Sequence, residues 1–147
     1  MTVIAIDPGR SGGIAVKWPR GDVEAFKMPE TVHDMAALFR ELCGLPDDEC
    51  RAVLENVHSM PHDGTSSAFA FGRNFGQIEG ILSALAIPYE LVAPGVWMKR
   101  VGALPKEKAG RKRELKAFAQ RTYPKLKITL MTADALALLA VTTKEQA

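Results

Sequence analysis

The sequence predicts an α/β fold: a mixed five-stranded sheet, with an antiparallel meander continued by parallel strands and flanked by helices. Two observations predict it. Five short apolar runs punctuate the chain, the first three separated only by turns and the last two by helical patterns. Strands joined by turns pair antiparallel, whereas strands joined through helices pair parallel by right-handed crossovers. The 147 residues are also 47% hydrophobic and 24% charged, the profile of a globular chain long enough for one domain with its own core, residues 1–147.

The first strand is Val3 to Asp7, a continuous apolar run that suits a central strand covered on both faces. Asp7 ends it and runs into "DPGRSGG". Gly13 to Trp18 resumes as a second strand, and Pro19 to Asp22 turns the chain into a third, Val23 to Met28. A carboxylate at a strand end beside a glycine loop marks a place where a cation or a phosphate approaches backbone. Asp-Pro-Gly is equally a turn sequence, so on this stretch alone a plain turn and a site stand level.

Pro29 to Leu42 reads as a helix, because Met35, Leu38, Phe39 and Leu42 recur on one face. The fourth strand, "CRAVLE", also ends in a carboxylate, Glu55. A loop rich in turn residues follows, and Ser66 or Ser67 is placed to cap the next helix. That helix runs to about Ala86 with Phe75, Ile78, Leu82 and Leu85 on one face. Pro88 to Val92 is the fifth strand, and Pro94 to Val101 a short helical turn. A helix over about Arg111 to Thr122 and a last one capped by Thr132 complete the chain.

Charge is unevenly spread. Residues 97–127 hold eleven Lys and Arg against two acids, a net of +9, so the rest of a chain with overall charge +2 carries −7. A basic segment on an acidic body points to a polyanion. The plainer reading is a solvated helix face. Its Lys99, Arg100, Lys106, Lys108, Arg111, Lys112, Arg113 and Lys116 are candidate phosphate contacts, which position nucleic acid without reading its sequence. Trp97 reads as an anchor for the short helix. Cys43 and Cys50 lack metal-ligand spacing and suit free thiols in a reducing cytoplasm. No apolar run reaches membrane-spanning length, and no basic segment precedes the first apolar run, so neither a membrane partner nor a signal peptide is expected.

Three acids stand out by position. Asp7 and Glu55 end strands that, if adjacent and parallel, project both carboxylates from one sheet edge, where ligands of α/β sheets bind. Asp134 lies in the first turn of the last helix and can reach the same place. Converging carboxylates repel one another, and hard oxygen donors select Mg²⁺ or Mn²⁺ to balance them. His58 and His62 are four apart, a metal-pair spacing on a helix, but Pro61 and Asp63-Gly64 place them on a loop. Met60, Phe69 and Phe71 offer an apolar wedge for an opened base step, with core packing the plainer reading for the phenylalanines. Gly72, Gly76 and Gly80 recur every four residues and flatten one helix face, either for packing on the chain's own sheet or for a second copy.

Together, "IAIDPGRSGGIAV", "VLENVHSM", "FGRNFGQIEGIL", "VAPGVWMKRVG" and "TADALALLAV" resemble the phage-type RuvC-like Holliday-junction resolvases of the ribonuclease H-like superfamily. The resemblance spans Val3 to Val141 in the family's order. It implies a ribonuclease H-like domain and a metal-dependent endonuclease that resolves four-way junctions by paired nicks, leaving 5′-phosphate and 3′-hydroxyl ends. It implies that Asp7, Glu55 and Asp134 are catalytic metal ligands for two Mg²⁺ ions, with Mn²⁺ as a substitute. Arg73 and Phe69 join the expected DNA contacts. The helix bearing Gly72, Gly76 and Gly80 becomes the interface of a homodimer, and the location becomes the host cytoplasm if the chain is phage-encoded. One position departs: where the family usually has a further acid, often one turn before the last Asp, this chain has Met131, so either the site uses fewer protein ligands, or Asp63 or Thr132 helps, or activity is reduced.

Three other readings share parts of this pattern. A sugar-kinase or actin-like ATPase has the meander and an Asp-x-Gly phosphate loop but normally needs two such domains. A branched-DNA or flap nuclease has the same acids. A non-catalytic junction-binding module fits the departure at Met131.

Overall fold

The computed structural model describes residues 1–44, 48–58 and 60–143. Its strands are β1 (Thr2–Asp7), β2 (Gly13–Lys17), β3 (Val23–Lys27), β4 (Cys50–Glu55) and β5 (Tyr89–Val92). Its helices are α1 (Val32–Leu42), α2 (Thr65–Ala84), α3 (Pro94–Val101), α4 (Lys108–Thr122) and α5 (Ala133–Thr143). One five-stranded sheet runs in the order β3-β2-β1-β4-β5. The meander β1–β2–β3 is antiparallel, and β4 and β5 continue it in parallel. This is the mixed sheet that the turn and helix spacings predict.

Alternation along the strands divides the core in two. Val3 and Ala5 of β1 face α5, Trp97 of α3 and Leu115 of α4. Ile4 and Ile6 face Met35 and Phe39 of α1 and Ile78 and Leu82 of α2. Both faces of β1 are therefore covered, which is why its sequence is apolar without a break. Helix α5 is buried almost all round, as its run of Ala, Leu and Val requires. Among the described residues, no helix is long and apolar enough to cross a membrane.

Several boundaries differ from the sequence pattern. Helix α1 begins at Val32, because Thr31 caps it by accepting the Asp34 N–H at 3.1 Å. Helix α2 begins at Thr65 behind Gly64 with no side-chain cap, so neither Ser66 nor Ser67 has the capping role. Helix α4 starts three residues early, at Lys108. Thr132 turns its hydroxyl backwards to the Thr129 N–H (3.1 Å). The expectation of free thiols is corrected: Cys43, at the C-cap of α1, and Cys50, the first residue of β4, form a disulfide with their Cα atoms 5.5 Å apart. A seven-residue separation does not reveal this proximity.

Candidate active site

The parallel register of β1 and β4 builds the site. Ile6 pairs with Leu54. One residue further on, Asp7 and Glu55 stand side by side where both strands end, and their carboxyls share a hydrogen bond. Helix α5 packs across β1 and β2, and its first turn delivers Asp134. The sheet edge and the helix start converge as the positions of the three acids suggest.

Close backbone approach makes this convergence possible. A Cβ on Gly12 would lie 2.1 Å from the Asp7 carbonyl oxygen, so only glycine lets the loop fold back on the strand end. A Cβ on Gly13 would lie 2.4 Å from the Met131 carbonyl oxygen, so glycine there lets the turn before α5 dock on β2. The "GG" of the opening motif thus sets the distance between Asp7 and the helix that carries Asp134.

Two buried side chains hold the acids in place, and the sequence reading missed both roles. Trp97 Nε1 donates to Glu55 Oε1 at 2.9 Å, and both residues are buried. Asn74, on the inner face of α2, accepts the Gly9 N–H at 2.7 Å and fixes the Asp7-Pro8-Gly9 turn. A signal for Asn74 exists: it precedes Ile78, Ile81 and Leu82 at helical spacing, a polar residue on an otherwise apolar face.

The electrostatics are those of crowded acids. Burial pushes the Asp7 carboxyl well above the usual range, and the charges of Glu55 and Asp134 push it further. Burial also raises Glu55, against the hydrogen bond from Trp97. Burial raises Asp134, against the attraction of Lys112 and Arg111. Asp134 Oδ1 is buried without a hydrogen-bond partner. Among the described residues, no group of three or more His, Cys, Asp or Glu side chains is spaced to hold a metal ion. The donor set nevertheless fits a hard divalent cation. It offers carboxylate oxygens only, burial and mutual repulsion raise all three acids, and one oxygen lacks a partner, so a cation would relieve both.

These acids open into a cleft of about 790 Å³. The glycine loop forms one side, His58, Met60 and Asp63 another, and Lys108 and Lys112 a third. Asp63 reaches the rim, but its carboxylate accepts the Met60 N–H at 2.7 Å. Met131 is exposed and lies outside the cleft lining. Neither Thr132, bonded within its own turn, nor Met131 supplies a further oxygen ligand from a free side chain. His62 stays on the exposed loop.

The remaining candidates spread around this cleft. Arg10 and Ala70 line it and also a neighbouring groove of about 630 Å³, which contains Phe69 and Arg73. Phe69 is 71% exposed, whereas Phe71 is partly buried at the cleft wall. Lys99, Lys106 and Arg113 are exposed and Lys116 half-buried, while Arg111 donates to the Lys106 carbonyl at 3.0 Å. Arg100 lines a separate groove beside Arg51 and Glu90. A Cβ on Gly72, Gly76 or Gly80 meets nothing within 4 Å, so this face of α2 does not pack on the chain's own sheet.

No family model and no curated protein matches the chain. Its structure is similar to that of Thermus thermophilus RuvC. One such structure, of RuvC in complex with Holliday junction substrate, gives a TM-score of 0.65 at 17% identity, covering 99% of this chain and 96% of that one. A second Thermus thermophilus RuvC structure gives 0.64 at 18%, covering 99% and 97%. The fold is thus RuvC-like, with the mixed five-stranded sheet that the sequence predicts.

Proposed function

We propose that this protein is a divalent-metal-dependent DNA endonuclease that resolves four-way junctions by paired symmetric nicks, leaving 5′-phosphate and 3′-hydroxyl ends. The observation that carries the reading is the convergence of Asp7, Glu55 and Asp134 in an open cleft with basic walls, within a RuvC-like fold.

Asp7, Glu55 and Asp134 would hold two Mg²⁺ ions, or Mn²⁺ in their place. Such ions supply an acidified attacking water and charge for the departing 3′ oxygen of an in-line displacement. The chain supplies the positioning. Trp97 orients Glu55, and Asn74 steadies the turn after Asp7. Lys108 and Lys112 face incoming phosphates from α4, and Arg10 faces them from the glycine loop. Phe69 stands free at the edge, where an opened junction would meet an apolar side chain.

The open glycine face of α2 suits a second copy of the chain, and an isologous dimer matches the two-fold symmetry of a four-way junction. The test is cleavage of labelled junction, flap and linear duplex in Mg²⁺ and in Mn²⁺. Paired nicks at symmetric positions of the junction support the reading. Equal cutting of flaps would make it a broader branched-DNA nuclease. Junction binding without metal-dependent cutting would leave a binding module.

A further inference from the structure

Lys112 belongs by sequence with the outer phosphate contacts of the basic segment, yet the structure puts it inside the carboxylate cleft. Its Nζ lies 3.8 Å from Asp134 Oδ2, and about a third of its side chain is exposed (34%). Its charge acts on all three acids, opposing the effect of burial at Asp7, Glu55 and Asp134. The turn before α5 carries Met131 in place of a further acid; Asp134 is the acid paired with this ammonium, and Asp7 and Glu55 lie within reach of its charge. Asp134 is divided between two environments: Oδ2 faces the lysine, and Oδ1 is buried without a partner.

We propose that Lys112 is a positioning residue that serves as the cleft's resident counter-cation and competes with a divalent ion for Asp134. Without the ion, its ammonium balances the acids and holds the start of α5 against α4. When an ion takes Asp134, its charge repels the ammonium on the neighbouring oxygen, and the lysine moves off that carboxylate. The released ammonium then turns to a phosphate of bound DNA. Metal and DNA thereby favour each other: a phosphate that draws Lys112 away from Asp134 raises ion affinity by the same factor that the ion raises DNA affinity. This last step rests on the nuclease reading, whereas the competition needs no DNA. At an effective dielectric near 20, repulsion between like charges a few ångströms apart is enough to change ion affinity about tenfold.

The experiment measures Mn²⁺ binding by calorimetry and ion-free melting in EDTA at pH 8, without DNA, for wild type, Lys112→Met and Lys112→Arg. Lys112→Met should bind Mn²⁺ about tenfold more tightly and melt at lower temperature in EDTA. Lys112→Arg should stay near wild type in both. Unchanged or weaker Mn²⁺ affinity in Lys112→Met overturns the proposal. If that variant does not fold, Lys112→Gln makes the same comparison. A wild type inert on every DNA substrate, with the affinity shift present, counts against the nuclease reading alone. An active enzyme with no affinity shift counts against the lysine alone.

Discussion

Trp97 donates its indole N–H to Glu55 across 42 residues of sequence, at 2.9 Å and out of contact with water. This bond ties the short helix α3 to the end of β4. It occupies one oxygen of Glu55 and leaves the carboxyl only limited rotation. Partners of this kind, behind a metal ligand, typically matter about 10–100-fold in metal affinity or activity. Trp97→Phe keeps most of the apolar bulk and deletes the donor. It should leave the protein folded, lower cleavage by about 10–100-fold and raise the Mg²⁺ concentration needed for half-maximal rate. Trp97→Ala should instead cost about 3–5 kcal/mol of stability, because it opens a cavity under α5. A metal titration of cleavage beside a melting curve separates the two effects.

Asn74 performs the matching task for Asp7. Its side-chain oxygen takes the Gly9 N–H, which is otherwise buried beneath α2. Asn74→Ala strands that donor at a cost of about 1–3 kcal/mol. The Gly9 amide should then exchange faster with solvent, read by NMR, and cleavage should fall as the turn after Asp7 loosens. Unaltered exchange at Gly9 would show that the turn holds itself.

The three acids themselves should behave as a set. Asp7→Asn, Glu55→Gln and Asp134→Asn each remove a carboxylate charge while leaving the basic walls intact. Each should abolish cleavage and spare junction binding, measured by gel shift in Ca²⁺ or without metal. Full activity in any one variant would remove that residue from the site.

What the sequence revealed and what it hid follow from the range of each interaction. Strands and helices declare themselves through local periodicity, so β1's unbroken apolar run and the Met35–Phe39–Leu42 face of α1 were legible. Asp7, Glu55 and Asp134 were legible because strand ends and helix starts are local landmarks. The bonds that hold them were not. Asn74 meets Gly9 across 65 residues, and Trp97 meets Glu55 across 42. No local pattern encodes such pairs. The position of Lys112 depended on the packing of α4 against α5, so a basic run concealed one cation that faces inward.

The raised carboxyl pKa values make the ion-free protein sensitive to pH, with a definite sign. Asp7, Glu55 and Asp134 all hold their protons more tightly folded than unfolded, chiefly through burial. Between the ordinary carboxylate range, about pH 4, and the raised folded values, the native state binds more protons than the unfolded one. Stability therefore falls as pH rises through that window. In EDTA the melting temperature should drop from pH 5 towards pH 8. Saturating Mg²⁺ should restore most of the loss, and more so at the higher pH, because the ion binds the deprotonated acids. Scanning calorimetry across pH with and without Mg²⁺ checks both slopes. A melting temperature that climbs with pH in EDTA would contradict the upward shift of these three acids.

The glycine face of α2 permits a test in which folding and assembly move in opposite directions. A Cβ at Gly76 meets nothing within 4 Å. Gly76→Leu thus starts into open space and replaces a poor helix former with a good one, a gain of about 0.5–1 kcal/mol in the isolated helix. The monomer should melt no lower than wild type. Across a close helix–helix contact, however, four added carbons would push the two backbones apart, and the proposed dimer should dissociate. Light scattering at micromolar concentration should then report a dimer for wild type and a monomer for Gly76→Leu. On a four-way junction the variant should make single nicks that no longer arise in pairs, because the two sites are no longer held together. A variant that remains dimeric would place the interface on another face. A wild type that is monomeric and still makes paired nicks would show that pairing comes from the junction rather than from the protein.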